Sequence, residues 1–236
     1  MLTLKEAKEI AGTLGNPRKM PGYSYGLPAA RAAWVPAECE RLGLPVPPVM
    51  GCAVGGRMSA IVGTTCYQCY ADGRGQYGAP SVRHGQTLRL VGCYNPRWTE
   101  AMIRLIGHYC GGDDAYFRWH DSGDLLGYWH LEAIATIAAA LPDVRFWLPT
   151  REAMLVVRFI REHGHFPSNL CIRVSSTKVD AGPPVGLPKA YVTTSTVHDT
   201  AAPIGKLCDA AHRGGQCGPC RACWNRKVSN VSYHVH

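Results

Sequence analysis

At 236 residues the chain is long enough for one sizeable α/β domain, and no apolar run approaches the ~20 residues needed for a membrane-spanning helix. The formal net charge of +8, carried by a sequence only 18% charged, favours a polyanionic partner such as DNA or another nucleic acid. Its 11 cysteines, in a chain whose opening stretch lacks the apolar core of a signal peptide, are expected in a reducing compartment, the cytoplasm, as metal ligands rather than disulfides.

Thr3-Leu4-Lys5-Glu6 fits a capping box and opens a short amphipathic helix to about residue 14, stopped by Gly15, Asn16 and Pro17. From there to about residue 80 the sequence is irregular and rich in Gly, Pro and aromatics, with Cys52, Cys66 and Cys69 inside it. A stretch this long without periodicity is either disordered or pinned, and the cysteines argue that it is pinned. Helical patterns follow at about 81–91 and 96–108, the second with Pro96 in its first turn.

The central stretch is an apolar run, Ala115-Tyr116-Phe117-Arg118-Trp119, that ends in His120-Asp121-Ser122-Gly123-Asp124. It reads as a buried strand opening into a polar loop, with a helix from about 128 to 141. Then come a strand at 144–148, a helix at 152–163, a strand at 170–174 ending in Ser175-Ser176-Thr177-Lys178, and a strand at 190–192 ending in Thr193 to Thr196. This alternation implies parallel βαβ units. Four clear strands are too few for a full barrel, so the expected fold is α/β, an incomplete or distorted TIM-like (β/α) barrel with a cysteine-rich, metal-bound C-terminal segment. The whole is expected to be one domain over 1–236: a helix plus irregular region over 1–80, βα repeats over 81–200 and the metal-binding tail over 201–236.

In such folds ligands sit at the carboxyl ends of the strands. That makes His120, Asp121 and Asp124 the candidate catalytic residues. Two carboxylates in one pocket can divide acid and base or nucleophile work, which suits glycosyl transfer. Equally, Asp121 could cap a turn and His120 could be a core histidine. Arg118, Arg145 and Arg173 lie inside strands, where a cation is costly unless paired. Arg118, Arg151, Ser175, Ser176 and Lys178 are the candidate nucleic-acid contacts, with Arg151 best placed for phosphate. Tyr and Trp residues of the early loops could wall a pocket for a flipped base.

Cys208, Cys217, Cys220 and Cys223 form the strongest metal signal: three cysteines at two-residue gaps on a Gly/Pro turn, with one upstream, can surround a zinc ion at ~2.3 Å or bind a four-iron cluster. His212 could replace Cys208. Cys66-Tyr67-Gln68-Cys69 can supply two further ligands or a redox pair. His234 and His236 read as a tail able to fold back onto a site.

Asp121-Ser122-Gly123 after a barrel-like strand, together with the C-terminal cysteines, resembles tRNA-guanine transglycosylase and its phage relatives that insert 7-deazaguanines into DNA. That resemblance implies a (β/α) barrel, Asp121 as the catalytic carboxylate, a structural zinc on the terminal cysteines, a 7-deazaguanine base as second substrate and a phage protein working in the host cytoplasm. Where that family has a second glycine, this chain has Asp124. Cys66 and Cys69 followed by Tyr70 and Ala71 resemble instead the second half of the cluster motif of radical S-adenosylmethionine enzymes, which implies a 4Fe–4S cluster; Val62 stands where that motif has its first cysteine. A third class, a non-catalytic DNA-binding protein with structural zinc, accounts for the charge and the terminal cysteines but leaves the strand-end carboxylates idle.

Overall fold

The computed structural model describes residues 1–112 and 115–235; His236 lies outside them. Thr3 and Glu6 cap α1 (Leu4–Ala11) reciprocally, Glu6 N–H donating to Thr3 Oγ1 at 3.2 Å and Thr3 N–H to Glu6 Oε2 at 2.8 Å. Gly12, at φ +72°, ends the helix earlier than its pattern predicts. The irregular region contains three elements that periodicity does not reveal: β1 (Tyr23–Tyr25), α2 (Val35–Leu42) and α3 (Ala53–Met58). All are shorter than the windows in which a helical or strand period can be read.

The chain continues with α4 (Pro80–Cys93), α5 (Trp98–Tyr109), β2 (Tyr116–Trp119), α6 (Tyr128–Ala140), β3 (Arg145–Thr150), α7 (Ala153–His163) and β4 (Leu170–Val179). It closes with β5 (Thr193–His198), β6 (Lys206–Leu207) and β7 (Asn230–His234). Pro80 occupies the first turn of α4, where its missing N–H costs nothing. Pro96, by contrast, precedes α5 rather than opening it.

Seven strands form one sheet in the order β1-β2-β3-β4-β5-β7-β6, every neighbouring pair parallel. The expected α/β class with parallel strands is therefore present, with three strands more than the four the sequence reveals. Two strand boundaries also differ. β4 runs on through Ser175, Ser176 and Lys178, which are strand residues and not a terminal loop. β5 begins at Thr193, because Tyr191 and Val192 are turned, both N–H groups donating to Pro188 O. Its Thr and Ser residues are paired on both sides, by β4 and β7. His234 lies in β7 and is not a tail.

Alternation along the strands separates two faces. Phe117, Trp119, Phe146, Leu148, Ile172 and Val174 point to the main core, where α1 packs on α4 and α5, α5 on α6, and α6 on α7. Tyr116, Trp147 and Val231 point the other way, against Cys223 and Trp224 of the segment that connects β6 to β7. That segment lies across the helix-free face. Trp224 Nε1 donates to Phe117 O at 2.9 Å, and Arg173, fully buried, spends its guanidinium on the carbonyls of Thr194, Ala222, Cys223, Asn225 and Val228 at 2.6–3.2 Å. Arg173 is thus an internal anchor, unavailable to phosphate. Cys217 N–H donates to Lys19 O at 2.8 Å, tying the same segment to the loop that enters β1.

Candidate functional site at the carboxyl ends of the strands

The loop after β2 meets the loop after β1. His120 N–H donates to Tyr25 O and Leu27 N–H to Ser122 O, at 3.0 and 2.9 Å. Ser122 Oγ donates to Leu27 O at 2.8 Å and accepts from Gln86 Nε2 of α4 at 2.7 Å. Gly123 has φ +81°, and a Cβ there would stand 2.7 Å from Leu27 Cβ. The serine and glycine of the Asp-Ser-Gly tripeptide are therefore required by loop packing alone.

The three polar candidates of this loop part company. Asp121 is half-buried at the mouth: Oδ2 accepts from Ser24 Oγ and Oδ1 from its neighbour Ser122 N–H, both at 3.1 Å. Gly26 presses directly on this carboxylate, since a Cβ there would overlap Oδ1. Asp124 is buried and accepts three hydrogen bonds: Thr150 Oγ1 donates at 2.6 Å, and Leu125 and Arg151 N–H at 2.8 Å. Burial pushes the Asp124 carboxyl up despite those three donors, and the group joins the ends of β2 and β3. His120 turns away from the mouth into the helical layer, its ring 5.5 Å from that of His130 on α6. Neither of its ring nitrogens has a hydrogen-bond partner, and burial, helped by His130 and Arg118, holds it neutral, well below the usual histidine range. It is an interior packing residue.

The irregular region is pinned over these strand ends. Thr65 N–H donates to Thr177 O at 3.0 Å, Val179 N–H to Gly63 O at 3.0 Å, and Val54 N–H to Glu152 Oε1 at 2.8 Å. Arg151 Nε donates to Thr65 Oγ1 at 3.1 Å, so this cation braces the loop from below. Ser175 Oγ pairs with Ser195 Oγ at 3.0 Å and Ser176 Oγ donates to Lys178 O at 3.2 Å, whereas Lys178 is exposed. Of the five candidate nucleic-acid contacts, Lys178 alone is exposed, and Arg151 and Ser176 border the same loop.

Pinning the loop brings three thiols to the mouth. A Cβ built on Gly55 would lie 3.5 Å from Cys52 Sγ and 3.6 Å from Cys66 Sγ, so both sulfurs border one point. Cys69 belongs to the same turn, its N–H donating to Cys66 O at 3.2 Å. Burial is the main force pushing the Cys52 and Cys69 thiols up, with each also raised by a neighbouring sulfur of this group. Cys52 is the functional candidate that spacing arguments miss. It stands fourteen positions before Cys66, and the signal for it was its presence in the same pinned, cysteine-bearing segment.

The four C-terminal cysteines converge beneath the mouth, on the helix-free face. Cys208, at the end of β6, packs with Cys223 in the cluster around Tyr116 and Trp147, and Cys223 Sγ lies 3.2 Å from Tyr233 Oη. Cys217 and Cys220 share a turn, Cys220 N–H donating to Cys217 O at 3.2 Å. His212 is exposed in a 3-10 turn. Among the described residues, the one grouping of three ligand atoms within 4.8 Å of one another is Glu132, Glu162 and His163 on the outer helices, where Tyr128 and Arg158 already hold Glu162.

Arg118 lies near Cys217 and Cys223 on one side and near Asp121 on the other. Its guanidinium carbon is 4.5 Å from the centre of the Trp147 ring, and its Nε is shielded from solvent without a hydrogen-bond partner. No carboxylate of the described residues lies within ion-pair distance of it. Two surface hollows lie elsewhere, one lined by Lys5, Lys8, Glu9 and Leu88, the other by Trp98, Trp129 and their neighbours.

Fold and site together define a parallel α/β protein with helices on one face of its sheet and a thiol-rich loop region at the strand ends. The chain belongs to the family described as Gene product 88, which matches residues 2–226. No curated protein and no solved structure matches it.

Proposed function

We propose that this protein is an iron–sulfur enzyme that modifies nucleic acid, with its cluster on Cys52, Cys66 and Cys69 at the open mouth of an incomplete (β/α) barrel. The observation that carries this reading is the position of Cys52, which supplies beside Cys66 and Cys69 the third thiol that their spacing alone lacks. Three thiols from one loop fit a four-iron cluster well, because they leave one iron without a protein ligand and open to a small molecule. In the radical S-adenosylmethionine enzymes, whose motif Cys66 to Ala71 resembles, such a cluster supplies one electron to its bound cosubstrate.

The rest belongs to this chain's own side chains. Arg151 and exposed Lys178 give the rim a positive charge suited to phosphate. Asp121 presents a carboxylate that can accept a proton or a hydrogen bond at the mouth. Asp124 holds the β2 and β3 ends in register beneath the loop. The surplus of basic residues supports a polyanionic substrate.

The test is anaerobic purification of the full chain. A brown protein absorbing near ~400 nm, whose iron content falls on Cys52→Ala as much as on Cys66→Ala, is the expected result. Iron content unchanged by Cys52→Ala overturns the assignment.

A second reading, base exchange by a transglycosylase that replaces guanine in DNA with a 7-deazaguanine, is favoured by Asp121, which is half-buried at the strand end and held only by neutral donors. In that reading Asp121 is the nucleophile, and a structural zinc occupies the C-terminal cysteines. It expects a colourless zinc protein and a 7-deazaguanine nucleoside in treated DNA that disappears with Asp121→Asn while fold and metal content stay intact. Binding of DNA with unchanged nucleosides would leave only a non-catalytic zinc protein.

A further inference from the structure

Two observations on the helix-free face have no part in the mouth chemistry. Cys208, Cys217, Cys220 and Cys223 converge there, and Arg118 lies close enough to Cys217 and Cys223 to feel their charge, its Nε shielded from solvent without a hydrogen-bond partner. A guanidinium drawn partly out of water is costly unless negative charge faces it, so half-buried Arg118 calls for such charge nearby. Asp121 supplies part of it from beyond ion-pair distance. The thiols can add more: once deprotonated by a metal centre, four cysteines place net negative charge against the apolar cluster of Tyr116, Trp147 and Trp224.

The spacing of the sulfurs selects the centre. A tetrahedral zinc site at ~2.3 Å per bond holds its sulfurs about 3.8 Å apart. Among the described residues no three cysteine sulfurs lie within 4.8 Å of one another. A cubane cluster spreads its ligands more widely, since each sulfur binds a different iron. We propose that Cys208, Cys217, Cys220 and Cys223 hold a four-iron cluster, separate from the mouth site, and that Arg118, braced on Trp147, is its counter-ion.

Arg118 is here a positioning and tuning residue. A nearby cation, or an N–H directed at cluster sulfur, stabilises the reduced and more negative form and so raises the potential. This centre does not depend on the mouth reading, and one variant separates them. In the full chain carrying Cys52→Ala, Cys66→Ala and Cys69→Ala, purified anaerobically, roughly four irons per chain should remain and should be lost on adding Cys217→Ala. In that triple variant Arg118→Met should move the reduction potential of the remaining cluster to more negative values, and Arg118→Lys should restore part of the shift. Zinc in place of iron in the triple variant overturns the cluster. A potential that Arg118→Met leaves unmoved overturns the role of Arg118, and Arg118→Gln, equally uncharged, provides the same readout should the Met variant fail to fold.

Discussion

Thr150 Oγ1 donates to Asp124 Oδ1 at 2.6 Å, and through this one bond the loop after β2 is fastened to the end of β3. Arg151 and Leu125 N–H complete the shell at 2.8 Å. Asp124→Asn would turn an NH2 group toward at least one of these donors. Chemical unfolding should show a loss of about 2–4 kcal/mol. A loss below about 0.5 kcal/mol, the range of surface substitutions, would mean that the carboxylate does not join the two strand ends.

Arg173 donates to five backbone carbonyls, one in β5 and four in the segment that crosses the sheet. Arg173→Met keeps most of the volume and removes every donor. The expected cost is about 3–5 kcal/mol, with new protease cleavage confined to residues 208–228. Uniform protection of that segment in the variant would show that Trp224 and the strands hold it without the arginine.

Two interior histidines set an acid limit. Burial lowers His130 to about 3 from its ordinary 6.5 and holds His120 well below 6.5. The folded state therefore keeps both neutral while the unfolded chain takes up protons. Stability is unaffected by them above about pH 6.5 and falls as pH drops below it, by roughly 1.4 kcal/mol per pH unit for each histidine. The decline continues to about pH 3 for His130. His130→Gln should make the decline between pH 6 and pH 4, measured by urea unfolding, roughly half as steep; an unchanged slope would show that His130 is protonated in the fold.

Gly123 combines φ +81° with an approach that would put a Cβ 2.7 Å from Leu27 Cβ. Gly123→Ala should therefore cost more than the ~1–2 kcal/mol of left-handed strain alone and should displace Asp121 with it. Full activity and wild-type stability in the variant would mean that the loop adapts freely.

The long helices and the middle strands were legible because each is repeated in a period that burial enforces: Ile134, Ile137 and Ala138 on α6, Phe146 and Leu148 on β3. β1, with three residues, and β6, with two, were not, since no period can be seen in so short a span. β5 was displaced in the reading because its Thr193, Ser195 and Thr196 look like a strand's polar end, whereas the sheet buries them between paired neighbours. At the site, the position of Asp121 followed from the strand pattern. The burial of His120 and the engagement of Asp124 did not, because both depend on partners, His130 and Thr150, that only the folded chain brings near. Cys52 was hidden for the same reason: chain distance conceals what the pinned loop brings together.

Among the described residues β6 pairs with no strand but β7, although 22 residues of chain separate Leu207 from Asn230. Pairing the last rung of the sheet thus closes a loop that carries Cys208, Cys217, Cys220 and Cys223. A centre bound by those sulfurs would act as a latch on the completed architecture, and stripping it would loosen this edge while the β1–β4 half stays intact.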